Sequence, residues 1–275
     1  IGYRGLDLLS RVAVPAMIVL LAVSMFIAPS DAGGLAGLTS ITPTSDLSVA
    51  AAITLVFGTF VSGGTQATNW TRFARSGKTA VLATLAAFFL GNGLMTLVGA
   101  LGALVYQQAD IVDIMVAQGL ATLGILMLFL NLWTTQDNTV YNFAVAGCNM
   151  LRTRRRKTIT LVGAAIGTLL AVLGMYEWLI PFLVLLGTFI PPVGGVIMGN
   201  FFVRYRGEYP DIASAKLPAF NIVGLSAYAI GSLVAYTSAW VAPLVGVLVA
   251  ALSYALLETV VAGVKARRAS AMGSV

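Results

Sequence analysis

LNLWTTQDNTVY, residues Leu130–Tyr141, places a row of polar side chains inside a long apolar run. Five consecutive residues, Thr134–Asn138, are polar or charged, and a further amide, Asn131, precedes them. Each helical residue advances about 100° around the axis, so four of these side chains fall on one stripe: Asn131, Thr134, Thr135 and Asn138. Because an unpartnered polar group is costly in hydrocarbon, the stripe predicts a membrane helix whose polar face points into the protein.

The composition of the chain is that of an integral membrane protein. Hydrophobic residues make up 59% of the 275 residues and charged residues only 9%, and the mean hydropathy is +0.93. Soluble domains, in contrast, are about 25% charged. Histidine is absent and Cys148 is the only cysteine, which excludes disulfide frameworks, Cys/His zinc sites and histidine-activated nucleophiles. The sequence therefore predicts a protein that is not an enzyme and that needs no cofactor.

Apolar runs of about 20 residues, the length that crosses a bilayer, recur along the chain. They predict an all-α integral membrane protein with about eight transmembrane helices, because Pro, Gly, Ser and charged residues collect in the connections between them. The predicted spans are Leu9–Ile27, Leu47–Thr65, Ala80–Val105, Leu120–Gly147, Ile159–Met175, Leu179–Phe202, Ile222–Tyr236 and Ala242–Val261.

The 16 Lys and Arg residues all fall on one side of the membrane if these spans alternate in direction. The connections on the other side carry acidic residues only: Asp31, Asp46, Asp110, Asp113 and Glu177. Since cytoplasmic loops carry the basic excess, both ends of the chain are predicted to be cytoplasmic. We interpret the run Arg154–Arg156 as a topology signal rather than a lipid-specific site. The net charge of +6 requires no nucleic-acid partner.

The polar stripe supports two interpretations. The oxygens of Asn131, Thr134 and Thr135 are neutral donors of the kind that a small hard cation such as sodium requires. The same residue types also form hydrogen bonds between membrane helices, and the pattern alone does not choose between the two. Asp137 lies off the stripe, and a carboxylate at this depth needs a partner or a proton, so a proton relay and a structural pairing are both open. Glu258, in the last span, is expected to reach toward Lys265 or Arg267.

FGTFVSGGT, residues 57–65, puts three glycines and three hydroxyl residues inside the second span. Glycine weakens a helix, so this composition predicts a discontinuous transporter helix whose freed backbone groups face a binding cavity. Phe60 would then offer an aromatic face for stacking, and Ser62 would offer a hydroxyl for hydrogen bonding. Close helix packing through small residues is the alternative.

Two prolines, Pro191 and Pro192, lie inside the sixth span in the sequence GTFIPPVGGV. Each removes a backbone donor and forces a bend, which could serve as a gate or be purely structural. The small-residue pattern GAAIG, Gly163–Gly167, is expected to pack inside the helix bundle rather than to form a dimer.

Four blocks make the chain similar to the cytosine permeases of the nucleobase:cation symporter family. They are GTFVSGGT (58–65) with the following Arg72 and Phe73, LNLWTTQDN (130–138), IPPVGGV (190–196) and AFFLGNGLM (87–95). The resemblance implies a LeuT-like fold of twelve spans, with an inverted repeat of five plus five spans and two further helices. By this match the chain begins at the fifth span and comprises spans 5–12, and the first four spans are expected to be missing.

Residues 1–275 would therefore form a single, incomplete transmembrane transporter domain. Its parts would be the fifth span with an outer loop (residues 1–45), the second inverted repeat (46–202) and the last two helices with a cytoplasmic tail (203–275).

The resemblance also implies a function: sodium-coupled uptake of a nucleobase, cytosine in the first place, by alternating access in a monomer of the cell membrane. Phe60 would stack on the pyrimidine, Ser62 and the backbone at Gly63 would bond to its edge, and Asn131 would reach the same ligand. Asn131 would also bind the co-transported sodium, together with the hydroxyls of Thr134 and Thr135. A gating or structural role is assigned to Asp137, Asn138, Pro191 and Pro192.

Several alternatives stay open. The substrate could be another flat heterocycle, such as a purine, uracil, a hydantoin or a thiamin-precursor pyrimidine, and the coupled cation could be a proton. A channel or facilitator would use the same polar stripe as the lining of a continuous pore. A purely structural membrane subunit would bind no ligand at all.

Overall fold

The fold is built from helices. The computed structural model describes residues 2–42, 47–108, 110–211 and 220–272, and for residues 2–10, 137, 138 and 265–272 it describes the backbone alone. These ranges contain no strand, and the predicted all-α class is confirmed.

Each of the eight predicted spans coincides with helical structure. The α-helices are α1 (Gly2–Asp31), α2 (Gly34–Ser40), α3 (Val49–Thr71), α4 (Gly77–Ala86), α5 (Gly93–Tyr106), α6 (Ile111–Ala117), α7 (Ala121–Met150), α8 (Arg156–Val172), α9 (Leu179–Phe189), α10 (Pro191–Gly199), α11 (Ile222–Thr237) and α12 (Ala242–Met272). A first π-helical segment, Ala87–Asn92, joins α4 to α5, and a second, Asn200–Arg204, continues α10. A 3-10 turn, Met175–Trp178, precedes α9.

Five of the described helical stretches are long and apolar enough to cross a membrane. They are Arg11–Asp31, Val49–Thr71, Gly77–Tyr106, Met175–Arg204 and Ala242–Val264. α11 is also apolar but shorter. These lengths and compositions agree with a multi-pass membrane protein.

Two short helices, α2 and α6, lie where the hydropathy pattern predicts only connections. Asp110 caps α6, because its side chain accepts a hydrogen bond from the Val112 N–H at 2.7 Å. Ile114 and Met115 of α6 are fully buried. An aspartate directly before an apolar run is the sequence signal that indicates such a helix start.

The first of two compact units comprises Ile1–Ser45 and Thr71–Tyr176. α1 packs against α5 and α7, α6 packs against the same two helices, and α8 packs against α7. The core of this unit consists of large apolar side chains: Leu20, Leu21, Val98, Met115 and Met127. At one end, Gln118 donates a hydrogen bond to the carbonyl oxygen of Ser24 at 3.1 Å, and the Tyr106 hydroxyl donates to Asp31 at 2.5 Å.

The GAAIG pattern of α8 packs within this first unit. A methyl group on Gly163 would overlap the ring of Phe143 in α7, whereas Gly167 faces open space. The prediction that the pattern packs inside the bundle is therefore confirmed at Gly163.

The second compact unit comprises Asp46–Trp70 and Glu177–Val275. α12 packs against α10 and α11 along their lengths, and glycines allow the close approach. A methyl group on Gly195 would overlap the carbonyl oxygen of Val247, and one on Gly231 would lie 2.7 Å from Cβ of Ala250. The predicted three-part division at residues 45 and 202 stays a prediction.

Candidate functional site

α7 carries the predicted polar stripe near its middle. Asn131 and Thr134 are half-buried, and Thr135 is exposed. The Thr135 hydroxyl lies 3.4 Å from Oδ1 of Asn131 and donates to it, and the Thr134 hydroxyl donates to the Leu130 carbonyl at 2.9 Å. The structure therefore brings the three predicted cation ligands together on one face of a single helix.

These hydrogen bonds leave acceptor capacity on the face of α7. A hydroxyl that donates its proton to a carbonyl oxygen keeps its own lone pairs, and an amide oxygen has two of them. Such neutral oxygens are suitable ligands for a hard cation. Calcium, for example, binds about six or more oxygens. Asn131, Thr134 and Thr135 can supply only part of such a shell. Their binding of sodium stays a prediction.

Asp137 and Asn138 belong to α7 by their backbone. Their side chains lie outside the part of the chain that the structure describes. The assignment of a gating or structural role to these two residues stays a prediction.

The predicted break in the second span is wrong: α3 is one continuous α-helix from Val49 to Thr71. The physical reason is that glycine keeps its N–H, so the hydrogen bonds of the helix continue through it, and Gly58 serves a close contact with α9 instead. A methyl group on Gly58 would overlap the carbonyl oxygen of Leu183, and one on Gly187 of α9 would overlap the carbonyl oxygen of Thr54. The glycine at Gly58 therefore lets two backbones touch, which is the close-packing alternative.

Phe60 and Gly63 form one local group on α3. A methyl group on Gly63 would lie 2.8 Å from Cε1 of Phe60, so the ring lies across the glycine. The Phe60 side chain is 37% exposed, which leaves part of the ring accessible for stacking. Ser62 is exposed as well, but in a continuous helix it lies about 200° around the axis from Phe60. A ligand that rests on one side of α3 can therefore meet Phe60 or Ser62, but not both.

The two predicted halves of the site lie on helices of different compact units. Phe60, Ser62 and Gly63 are in α3, and Asn131 is in α7. The meeting of these residues around one substrate stays a prediction, as does each assignment of a substrate contact.

The sixth span is interrupted at its two prolines, and the predicted bend there stays a prediction. α9 ends at Phe189, α10 begins at Pro191, and Ile190 between them belongs to neither helix. Pro191 and Pro192 occupy the first two positions of α10 and have no N–H to donate to the carbonyls four residues earlier. The next amide, that of Val193, donates to the Ile190 carbonyl at 3.0 Å. Gating at this interruption stays a prediction.

The structure shows a polar network at the end of α10 that the sequence does not predict. The Asn200 amide donates to the hydroxyl of the fully buried Tyr254 at 2.7 Å, and the Tyr209 hydroxyl donates to Asn200 at 3.2 Å. Burial, with a smaller contribution from Tyr205 and Tyr254, raises the pKa of Tyr209 above its ordinary value, so its hydroxyl stays protonated. The network stabilises the packing of the second π segment on α12.

Glu258 takes part at the edge of this network. Its Oε1 lies 3.9 Å from Nε of Arg204. The side chains of Lys265 and Arg267 lie outside the part of the chain that the structure describes, so the expected approach of Glu258 to them stays a prediction. Arg204 lies on the second π segment, far from Glu258 in sequence, so only the packing of α10 on α12 identifies it as the partner.

Comparison with known proteins gives consistent matches along nearly the whole chain. Residues 3–267 match the family described as permeases for cytosine/purines, uracil, thiamine and allantoin. The cytosine permeases of Escherichia coli strain K12 and of E. coli O157:H7 are each 38% identical to the chain over 259 residues, which is 94% of its length. The cytosine permease of E. coli O6:H1 is equally similar. The chain spans 61% of the length of these relatives.

Proposed function

We propose a transport function from one premise: this chain belongs to the family of permeases for cytosine/purines, uracil, thiamine and allantoin. The protein takes up a nucleobase, cytosine in the first place, by secondary active transport coupled to sodium. The observation that carries the proposal is the family match over residues 3–267, supported by 38% identity to proteins named cytosine permease.

The polar face of α7 supports the sodium part of the proposal. Three neutral oxygens, on Asn131, Thr134 and Thr135, lie on adjacent turns in a chain that is otherwise 59% hydrophobic. Sodium bound there gains ligands that need no change of protonation, unlike a carboxylate or histidine site. Oxygens from elsewhere in the protein complete the coordination shell.

The ring of Phe60 supports the choice of a flat heterocycle as substrate. Its partly exposed face stacks on the base, Gly63 leaves room for the ring, and the Asn131 amide offers both a donor and an acceptor to the edge of the base. Ser62 joins the contact only if α3 unwinds near it when substrate binds.

Coupling follows from the shared use of Asn131 by both ligands. If sodium and substrate favour the same conformation, each raises the affinity for the other by the same factor. Alternating access in a LeuT-like fold, with this chain as spans 5–12, then moves both ligands across the membrane. The interruption before Pro191 and Pro192 offers a point where such a motion can pivot. The protein works as a monomer in the cell membrane with both ends of this chain in the cytoplasm.

Uptake of radiolabelled cytosine, measured with sodium and with choline in its place, tests the proposal. Thr134→Ala combined with Thr135→Ala removes two of the three ligands and should abolish the stimulation by sodium. Thr139→Ala is the matched control, because its hydroxyl also donates to a carbonyl four residues earlier, at 3.0 Å, but lies outside the proposed site. Sodium stimulation that survives in the double variant would remove the sodium assignment.

The same assay separates the alternatives. Competition by unlabelled purine, uracil or hydantoin identifies another heterocycle as the substrate. A dependence on the pH gradient instead of sodium identifies proton coupling. Saturable counterflow of preloaded substrate is expected of a carrier, whereas a channel or facilitator with an open pore shows none.

A further inference from the structure

We propose that a cavity between the end of α7 and the start of α8 binds the phosphodiester headgroup of an anionic phospholipid. The cavity has a volume of about 450 Å³, within the roughly 300–1,000 Å³ range of ligand sites. Its lining consists of Val145, Cys148, Asn149, Thr153, Arg154 and Arg156. Two arginines, one threonine and one asparagine thus line the same space.

The chemistry of this lining matches a phosphodiester. Guanidinium groups form paired, charge-assisted hydrogen bonds with phosphate oxygens, and they are the side chains most suited to this recognition. The hydroxyl of Thr153 and the amide of Asn149 can donate to the remaining oxygens. Basic pockets between transmembrane helices are a recurrent form of lipid headgroup site.

The loop that carries the two arginines is held by its own backbone. The Thr153 N–H donates to the Cys148 carbonyl at 3.0 Å, and the Arg156 N–H donates to the Arg154 carbonyl at 2.9 Å. The Arg155 N–H donates to the Thr153 hydroxyl at 3.3 Å. These bonds fix the backbone at Arg154 and Arg156, so the site requires little ordering when the headgroup binds.

The charge of the region favours an anionic occupant. Five basic residues fall between Arg152 and Lys157, and the sequence has no acidic residue from 138 to 176. None of the described residues forms an ion pair with Arg154 or Arg156. The basic side chains of this region repel one another, and the positive end of the α8 helix dipole increases that repulsion. A bound phosphodiester relieves the repulsion among these positive charges. The cavity thus gives the run a role beyond the topology signal predicted from the sequence, because that signal does not require a cavity.

Cys148 gives a direct measurement, because it is the only cysteine of the chain and lines the cavity. The protein is placed in nanodiscs of phosphatidylcholine, with or without phosphatidylglycerol, and the rate of Cys148 labelling by a water-soluble maleimide is followed. We expect phosphatidylglycerol to slow the labelling. In Arg154→Gln with Arg156→Gln the protection by phosphatidylglycerol should be lost, because both guanidinium groups that can form charge-assisted hydrogen bonds with the phosphodiester are removed.

A second double variant, Arg155→Gln with Lys157→Gln, is the matched control. It removes the same charge from the same loop, but neither residue lines the cavity. Retained protection by phosphatidylglycerol in this control, together with its loss in the first variant, supports the site. Equal loss in both variants means a diffuse surface charge and overturns it, as does labelling that phosphatidylglycerol does not slow.

Inorganic phosphate added to phosphatidylcholine nanodiscs separates the two sources of the ligand. Protection by phosphate equal to that by phosphatidylglycerol overturns the lipid assignment in favour of a soluble anion. Parental labelling rates in pure phosphatidylcholine show that each variant is folded. Native mass spectrometry gives the second readout, because one retained phosphatidylglycerol should be lost in the first variant only.

Discussion

α3 and the stretch α9–α10 both carry residues that disfavour a helix, yet only the second is interrupted. α3 contains Gly58, Gly63 and Gly64 and runs without a break from Val49 to Thr71. The sixth span contains Pro191 and Pro192 and divides at Ile190. Both stretches belong to the second compact unit, and α3 packs on α9 itself.

The difference follows from what each residue removes. Glycine costs a helix about 1 kcal/mol relative to alanine but keeps its N–H, whereas proline costs about 3 kcal/mol and takes the donor away. Gly58 also contacts the backbone of Leu183 at a distance that no larger residue permits. The two prolines cannot donate to the carbonyls four residues earlier, those of Gly187 and Thr188. Glycines in a membrane span therefore indicate close packing at least as well as they indicate a break.

The largest expected effect comes from filling the α3–α9 contact. Gly58→Ala or Gly187→Ala places a methyl group on the backbone of the facing helix, and backbone atoms cannot move aside as a side chain does. We expect each substitution to reduce the free energy of unfolding by about 3 kcal/mol, the upper end for overpacking. Thermal melting of the purified protein in detergent measures this. An unchanged melting temperature would show that α3 does not depend on this contact.

The second effect tests whether α3 stays continuous when substrate is bound. Phe60→Ala should weaken substrate binding by about 1–3 kcal/mol, the range for stacking on a base. Ser62→Ala should leave the affinity unchanged, because in a continuous helix its side chain faces away from the side that carries Phe60. Equilibrium binding of labelled cytosine measures both. An equal loss in the two variants would mean that α3 unwinds in the bound state, and the comparison with α9–α10 would then hold for the empty protein only.

The third effect concerns the interruption at Ile190. Pro191→Ala restores a donor for the Gly187 carbonyl and should join α9 to α10, so the new amide should exchange its hydrogen slowly. If the bend serves as the pivot, the initial rate of uptake falls on the order of tenfold, equivalent to about 1.4 kcal/mol. Pro181→Ala is the control, since Pro181 lies in the first turn of α9, where proline is tolerated. Normal uptake by a protein with a continuous helix would make the bend purely structural.

The smallest expected effect comes from two glycines of α8, of which one lies in a close contact and the other faces open space. Gly167 faces open space, so Gly167→Ala should stabilise the protein by at most about 1 kcal/mol through helix propensity. Gly163→Ala introduces the same methyl group against the ring of Phe143 and should destabilise it instead. Melting temperatures that shift in opposite directions would confirm that the facing atoms, not the residue type, decide the effect of a glycine.

The sequence predicts most of the helices because each carries a strong local signal. The surrounding lipid determines that a run of about 20 apolar residues forms a spanning helix, so composition alone predicts α1, α3 and α12. The interruption before Pro191 follows from covalent chemistry, because proline has no N–H to donate. The stripe of Asn131, Thr134 and Thr135 follows from helical geometry, and the structure brings these residues together as the spacing predicts.

What the sequence does not predict depends on contacts between distant segments. Gly58 of α3 contacts Leu183 of α9, and Glu258 pairs with Arg204, 54 positions earlier in the sequence. The pattern of α3 is compatible with both a break and a close contact until its neighbour is known. α6 is missed for another reason, because its seven residues are too few for a hydropathy pattern and only the capping by Asp110 indicates it.

The first π segment sets the helical phase of α5 against α4. A π turn holds one residue more than an α turn, so α5 is rotated by about 100° from where an unbroken α-helix would place it. That rotation directs Val98 into the core and lets Gly102 meet Ile114 of α6. Deleting a single residue between Ala87 and Asn92 would rotate this face away from the core by about 100°, although the segment contains no buried residue. Homologues are therefore expected to tolerate substitutions in this segment far better than changes in its length.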